Sequence, residues 1–224
     1  MKGVYIPETQ AFDPGDFCMT SFYKKYVSKI LIPHGLIKER VKKMAESIFL
    51  HYSKLDGEFI ILTTMNGAFA FFATLSESLI DYSTAKQCLR RPPYFVEFLK
   101  CSSYFGTEQA SDVNFSSDVT RVLNACKKKH VLIVEDLIDS GHTLTKLREN
   151  LETNKTLSVK TACCFSKRTT KWNGFTPDWV GFDVDDHFIV GYGCDLNEYF
   201  RDLPHICIFK ADKINELLEG KPQE

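Results

Sequence analysis

Net charge is the first thing this 224-residue sequence lacks: 28 Lys and Arg stand against 29 Asp and Glu, leaving −1 at pH 7 and a pI near 6.6. That balance argues against a general binder of nucleic acid or of anionic membrane surfaces. Long apolar runs are missing too, so no stretch reads as a membrane span, and no leader-like segment opens the chain. The eight cysteines (Cys18, Cys88, Cys101, Cys126, Cys163, Cys164, Cys194 and Cys207) include no C-x-x-C pair. Such scatter reads as reduced, cytoplasmic usage, and adjacent Cys163 and Cys164 in an apolar segment read as buried hydrophobes. No Walker A loop occurs, and Gly191 and Gly193 lack the third glycine of a dinucleotide fingerprint. Internal repeats and long linkers are absent as well. What remains, with 44% hydrophobic residues, is enough for one sizeable α/β core.

The informative stretch runs from Val131 to Leu144. Residues 131–134 are apolar on both faces, the pattern of a short buried strand. Glu135 and Asp136 follow where that strand should emerge from its sheet. Beyond Leu137 and Ile138 comes a polar turn, Asp139, Ser140, Gly141, His142 and Thr143. Leu144, Leu147 and Leu151 then fall at helical spacing. A glycine-containing turn that feeds a helix presents backbone N–H groups and a positive dipole end, a site suited to phosphate. Carboxylates one turn away suit hydroxyls or Mg2+. Together these are the needs of a ribose 5-phosphate ligand. The plainer alternative is a capped helix with solvated acids, Ser140 and Thr143 serving as N-caps. Three acids with Ser, Gly and Thr in nine residues after a fully apolar strand weigh against it.

Elsewhere the pattern alternates. Residues 1–36, with Pro7, Pro14 and Pro33, read as loop with a short strand. Val41, Met44, Ala45, Ile48 and Phe49 predict an amphipathic helix over 37–51. Residues 59–62 predict a strand, 63–67 a turn containing Gly67, and 68–80 an apolar helix. Further strands are expected at 94–100, 157–166, 179–183, 188–191 and 205–209, with a last helix at 212–218. The segment 105–118 is polar and without periodicity; Lys127, Lys128 and Lys129 read as a solvated turn. This alternation predicts a parallel α/β sheet with its site at the strands' carboxyl ends.

The 131–143 stretch closely resembles the phosphoribosyl pyrophosphate (PRPP) motif of type I phosphoribosyltransferases. Nearly the whole chain is similar to the hypoxanthine-guanine branch of that family. The supporting stretches are 32–37, 96–100, Ser103 with Tyr104, 167–169, 177–182, 190–192 and 195–203. The resemblance implies a mainly parallel twisted sheet flanked by helices, with a small hood subdomain, in a single domain over 1–224. The core would occupy about 37–166 and the hood 1–36 and 167–224. It implies a cytoplasmic homodimer or homotetramer that takes PRPP and a 6-oxopurine base to IMP or GMP, with Mg2+ as cofactor.

Site roles follow from the same resemblance. Glu135, Asp136, Asp139, Ser140, Gly141, His142 and Thr143 would hold PRPP and its 5-phosphate, with Asp139 as general base or acid at N7 of the purine. Met65, Asn66, Gly67 and Arg201 would meet pyrophosphate. Lys167, Phe188, Ile189 and Asp195 would form the purine subsite, Lys167 donating to the 6-oxo group. Glu135, Asp136 and Asp195 would hold metal, and Ser103 with Tyr104 would begin a closing lid. On its own a strand Phe is core and a strand-end Lys is solvated; only the resemblance gives Phe188 and Lys167 these roles. A regulator that binds PRPP or nucleotide without catalysis is the alternative, favoured by two lost positive charges and opposed by Asp139 and Lys167. An acid-clustered signalling receiver domain would leave the pattern from Lys167 to Arg201 unexplained.

The two losses are His142 and Asn66, which stand where the family usually has lysine; the first loop reads Met65, Asn66, Gly67, Ala68 in place of Leu-Lys-Gly-Gly. His142 exchanges a fixed charge for a titratable one. Asn66→Lys is expected to lower the Michaelis constant for PRPP; equal constants for the variant and the wild type would contradict the reading.

Overall fold

In this computed structural model residues 1–86, 94–100 and 119–219 are described. Ser103, Tyr104 and the segment 105–118 lie outside the described residues. The chain runs β1 (Val4–Ile6), α1 (Ser21–Tyr26), β2 (Val27–Ile32), α2 (His34–Tyr52), β3 (Phe59–Met65), α3 (Phe69–Ala85) and β4 (Tyr94–Lys100). It continues with α4 (Val119–Cys126), β5 (His130–Ile138), α5 (His142–Thr153), β6 (Ser158–Arg168), β7 (Trp179–Asp185), β8 (Ile189–Val190), β9 (Ile206–Phe209) and α6 (Ile214–Glu219). Six strands form a parallel sheet in the order β1-β7-β6-β5-β3-β4. A second, antiparallel sheet has the order β2-β9-β8.

Why the central strands read as unbroken apolar runs is visible in their two faces. Successive strand residues point to opposite sides. Leu132 and Val134 of β5 enter a core with the stripe of α2 (Ile37, Val41, Met44, Ile48) and with Phe71 and Leu75 of α3. Val131 and Ile133 enter another, with Val122 of α4 and Leu144, Leu147 and Leu151 of α5. Helices cover both faces, so neither can be polar. A third cluster joins Tyr26, Val27, Ile30, Val190, Phe200, Leu203, Cys207 and Phe209, and this holds the small sheet together.

Several elements differ from the sequence expectation: β3 runs on to Met65 where a turn from 63 is expected, and residues 1–36 hold α1 and β2 besides the short strand β1. β5 does not stop at Val134: pairing with β6 continues through Glu135 opposite Cys163 to Ile138 opposite Ser166. Both carboxylates therefore sit on a rigid strand and not on its exit. α4 carries apolar Val119, Val122 and Cys126 on its core side, but a helix of this length after a polar segment shows too few turns to stand out. β1 and β7, at residues 4–6 and 179–185, belong to the large sheet. The cause is pairing: β7 adds beside β6, and β1 adds at its free edge. Arg40 of α2 fastens that edge, its Nε donating to Gly181 O at 2.9 Å and its Nη2 to Val180 O at 3.1 Å and to Lys2 O. The hood sheet is then β2, β8 and β9.

Leu132, fully buried in the central strand, reports on this packing. Leu132→Ala is expected to cost about 2–5 kcal/mol by chemical denaturation; a cost under about 1 kcal/mol would place the side chain outside a close-packed core.

Candidate functional site

The site assembles at the carboxyl ends of β3, β5 and β6, under a hood loop spanning 191–203. Gly141 closes the turn after β5 at φ 85°, a left-handed conformation that L side chains avoid. A Cβ there would fall 2.5 Å from Asn173 Oδ1 and 2.9 Å from Phe175 Cβ. Gly141 is also the N-cap of α5 and supplies no side-chain cap. The alternative of Ser140 or Thr143 as the cap is therefore not adopted, and Asp139 stands two residues before the capping position. The first amides of α5 have no cap acceptor from Gly141, the arrangement that receives an anion. His142, exposed, begins the helix, and Thr143 is half-buried beside it.

Opposite this turn the β3–α3 loop carries a cis peptide between Met65 and Asn66. Gly67 lies against Asp136: a Cβ on it would come within 2.3 Å of Asp136 Oδ2. Gly193 of the hood loop, at φ 99°, lies against Gly67 in turn, where a Cβ would fall 1.9 Å from the Gly67 carbonyl oxygen. Strand, loop and hood thus meet through contacts that admit only hydrogen. Arg201 Nη1 donates to Gly193 O at 2.8 Å, and its Nη2 lies 2.9 Å from Asp195 Oδ1. The other Asp195 oxygen accepts from Glu198 N at 2.8 Å. Tyr192, Asn197, Glu198 and Phe200 all adopt positive φ, which folds this loop tightly enough to return Arg201 to Gly193.

Burial raises the Glu135 carboxyl well above its ordinary value, and the neighbouring Asp136 charge raises it further. The Cys194 thiol donates to Asp136 Oδ2 at 3.7 Å, and the Cys163 thiol lies 3.8 Å from the Asp136 carbonyl. Sequence reasoning missed Cys194 as a partner of Asp136, since a lone cysteine reads as a small hydrophobe. Thr64 was missed too; its hydroxyl donates to Val134 O at 3.1 Å and ties β3 to β5 just below the carboxylates.

Lys167 and Asp139 are brought together: Nζ lies 3.8 Å from Asp139 Oδ2, with the lysine side chain only 10% exposed. Asp139 Oδ1 is buried and has no hydrogen-bond partner. An orphaned acceptor of this kind is costly and awaits a donor. Ile189 opens β8 of the hood sheet and Phe188 precedes it, its carbonyl accepting from Phe209 N at 2.9 Å. The Phe188 ring keeps 39% of its surface open and meets Phe209 edge-on at 5.9 Å. A cavity of about 520 Å³ between residues 1–3 and the 166–177 segment borders Lys167 but none of the β5 carboxylates.

Among the described residues no group of three His, Cys, Asp or Glu side chains could hold a metal unaided. Mg2+ does not need one: it is held through one or two carboxylates together with substrate phosphates and water. Adjacent Glu135 and Asp136, with a site for phosphate next to them, are a donor set of that type.

Comparison with known proteins supplies the family. The model of the phosphoribosyl transferase domain matches residues 28–197. A hypoxanthine-guanine-xanthine phosphoribosyltransferase of Plasmodium falciparum is 39% identical over 92% of this chain and 87% of its own length. The hypoxanthine-guanine phosphoribosyltransferase of Homo sapiens is 35% identical over 92% of each. Among solved structures, the hypoxanthine-guanine phosphoribosyltransferase from Schistosoma mansoni in complex with IMP superposes with a TM-score of 0.78 at 33% identity, over 96% of this chain and 99% of that one. The chain belongs to the phosphoribosyl transferase family.

Burial pushes the thiols of Cys163, Cys164 and Cys194 well above their ordinary value. A raised thiol stays protonated at neutral pH, and the thiolate is the reactive form. All three are expected to resist iodoacetamide in the folded protein and to react once it is unfolded, read by peptide mass spectrometry. Prompt labelling of any one in the folded state would contradict the burial.

Proposed function

We propose that the chain transfers the 5-phosphoribosyl group of PRPP to N9 of hypoxanthine or guanine, releasing pyrophosphate and IMP or GMP, as a purine salvage enzyme. The observation that carries it is the pairing of Asp139 and Lys167 beside the uncapped start of α5, with one Asp139 oxygen buried and unpartnered.

In this reading the turn from Asp139 to Thr143 receives the 5-phosphate through backbone N–H groups and the hydroxyls of Ser140 and Thr143. Glu135 and Asp136 face the ribose hydroxyls. Asp139 accepts the N7 proton of the base as N9 bonds to the anomeric carbon and the bond to pyrophosphate breaks. Positive charge builds on the ribose in that step, as in glycoside cleavage. Lys167 donates to the 6-oxo oxygen and so disfavours adenine, whose amino group offers no comparable acceptor. Phe188 stacks on the purine, and the Ile189 backbone reads its edge. Arg201 and the loop of Met65, Asn66 and Gly67 meet the leaving pyrophosphate. Two Mg2+ ions, one held at Glu135 and Asp136 and a second at Asp195, would offset the charge developing on pyrophosphate.

The same reading carries a homodimer or homotetramer. It also carries a cytoplasmic location. No helix among the described residues is long and apolar enough to cross a membrane.

Asp139→Asn keeps the size of the side chain and removes the proton acceptor. Turnover of hypoxanthine and guanine, followed by ultraviolet absorbance with PRPP and Mg2+, is expected to fall by about 10²–10⁴-fold. Unchanged turnover would remove Asp139 from the role of base. No turnover by the wild type, with PRPP binding intact, would leave a binding protein in place of the enzyme.

A further inference from the structure

The β6–β7 connection, residues 169–178, begins two residues after Lys167 and returns to the back of the turn after β5. Asn173, exposed to solvent, makes that return. Its backbone N–H donates to Ser140 O at 2.9 Å. Its Nδ2 donates to Thr145 Oγ1 at 3.0 Å, and Thr145 Oγ1 donates to Gly141 O at 3.1 Å. Its Oδ1 accepts from Phe175 N at 3.0 Å, bending the loop so that Phe175 lies under Gly141. One side chain therefore shapes its own loop and, through the Thr145 hydroxyl, grips the carbonyl of Gly141, the residue whose left-handed conformation aims the first amides of α5.

We propose that Asn173 is a positioning residue: it holds the 139–143 turn ready for the 5-phosphate, and it ties that turn to the loop that starts at the purine-contacting Lys167. This rests on the phosphoribosyl-transfer reading above. The physical reason is the cost of order. A turn that had to be shaped by the ligand would spend binding energy on fixing its own backbone, whereas a turn already braced does not. The brace is specific in kind. Its amide must donate on one side and accept on the other, which neither an aliphatic residue nor a carboxylate can do at neutral pH. Asn173 is exposed and lies outside all three apolar clusters, although Phe175, whose N–H it accepts, belongs to the second.

The expected consequence is confined to ligands that carry the 5-phosphate. Asn173→Val removes both side-chain bonds, so the Michaelis constant for PRPP and the dissociation constant for IMP should each rise about tenfold. The Michaelis constant for hypoxanthine and the thermal midpoint should stay near wild type. Thr145→Val breaks the same link one atom further along. If Asn173 acts through Thr145, the double variant should be no worse than the poorer single one, a strong departure from additivity. IMP binding is measured by calorimetry, so the phosphate site is assayed even if the wild type were to show no turnover. That outcome would sink the proposed reaction and leave the IMP arm to decide the fate of Asn173. Unchanged IMP affinity in Asn173→Val would overturn the assignment. So would a general fall in kcat and thermal midpoint with no selective effect on the phosphate ligands, or strict additivity with Thr145→Val.

Discussion

The approach of Gly193 to the carbonyl of Gly67, with Gly67 itself against Asp136, is the contact on which the site depends. Three separate pieces of chain meet there: the strand end that carries the carboxylates, the loop with the cis peptide, and the hood loop that ends in Arg201. No side chain fits between them. The result is a single rigid corner, so that Asp136, Asp195 and Arg201 hold fixed relative positions although 65 residues of sequence separate the first from the last. Arg201 strengthens the corner by donating back to Gly193, and Gly193 N donates to Arg201 O at 3.0 Å.

Around that corner, charge is managed differently on each side. On the carboxylate side, Glu135 and Asp136 are crowded, and the thiol of Cys194 approaches Asp136 as a donor from the hood. Burial disfavours the charged form first, and the neighbouring Asp136 charge adds to it, so the Glu135 carboxyl lies well above its ordinary value. A cationic or hydroxyl-rich ligand relieves that crowding. Beside Asp139 the logic reverses: among the described residues, the mostly buried Lys167 has a looser partner there, 3.8 Å away. The pair is near enough to hold both groups in place and too long for a strong bond. Each therefore keeps hydrogen-bonding capacity.

Much of this was legible in the sequence, and the reason is local. The turn after β5 is contiguous, so its glycine, acids and hydroxyls advertise a phosphate site without knowledge of the rest of the fold. The alternation of apolar strands and stripes likewise predicted the parallel sheet. What stayed hidden was contact between distant segments. That β1 would close the edge of the large sheet depends on Arg40 reaching the Val180 and Gly181 carbonyls, across some 140 residues. That Cys194 faces Asp136, or that Asn173 props Gly141, is decided by the path of two loops whose composition reads as ordinary. Even the end of β5 was misplaced, because two carboxylates look like the end of a buried strand when only their own chain is considered; pairing with β6 carries the strand past them.

The loss of lysine at Asn66 and His142 can be weighed against this geometry. A lysine in either loop adds a mobile positive charge near phosphates but shapes no backbone. The shape comes from Gly141, from the uncapped α5 amides and from the corner of Gly67 and Gly193, all of which are intact. A helix N-terminus contributes the equivalent of roughly half a positive charge, fixed in direction and unaffected by pH. The site therefore retains what orients its ligand and gives up part of what attracts it. In transition-state terms such a change weakens capture of PRPP more than it weakens the step after capture, because attraction at a distance acts on ground state and transition state alike.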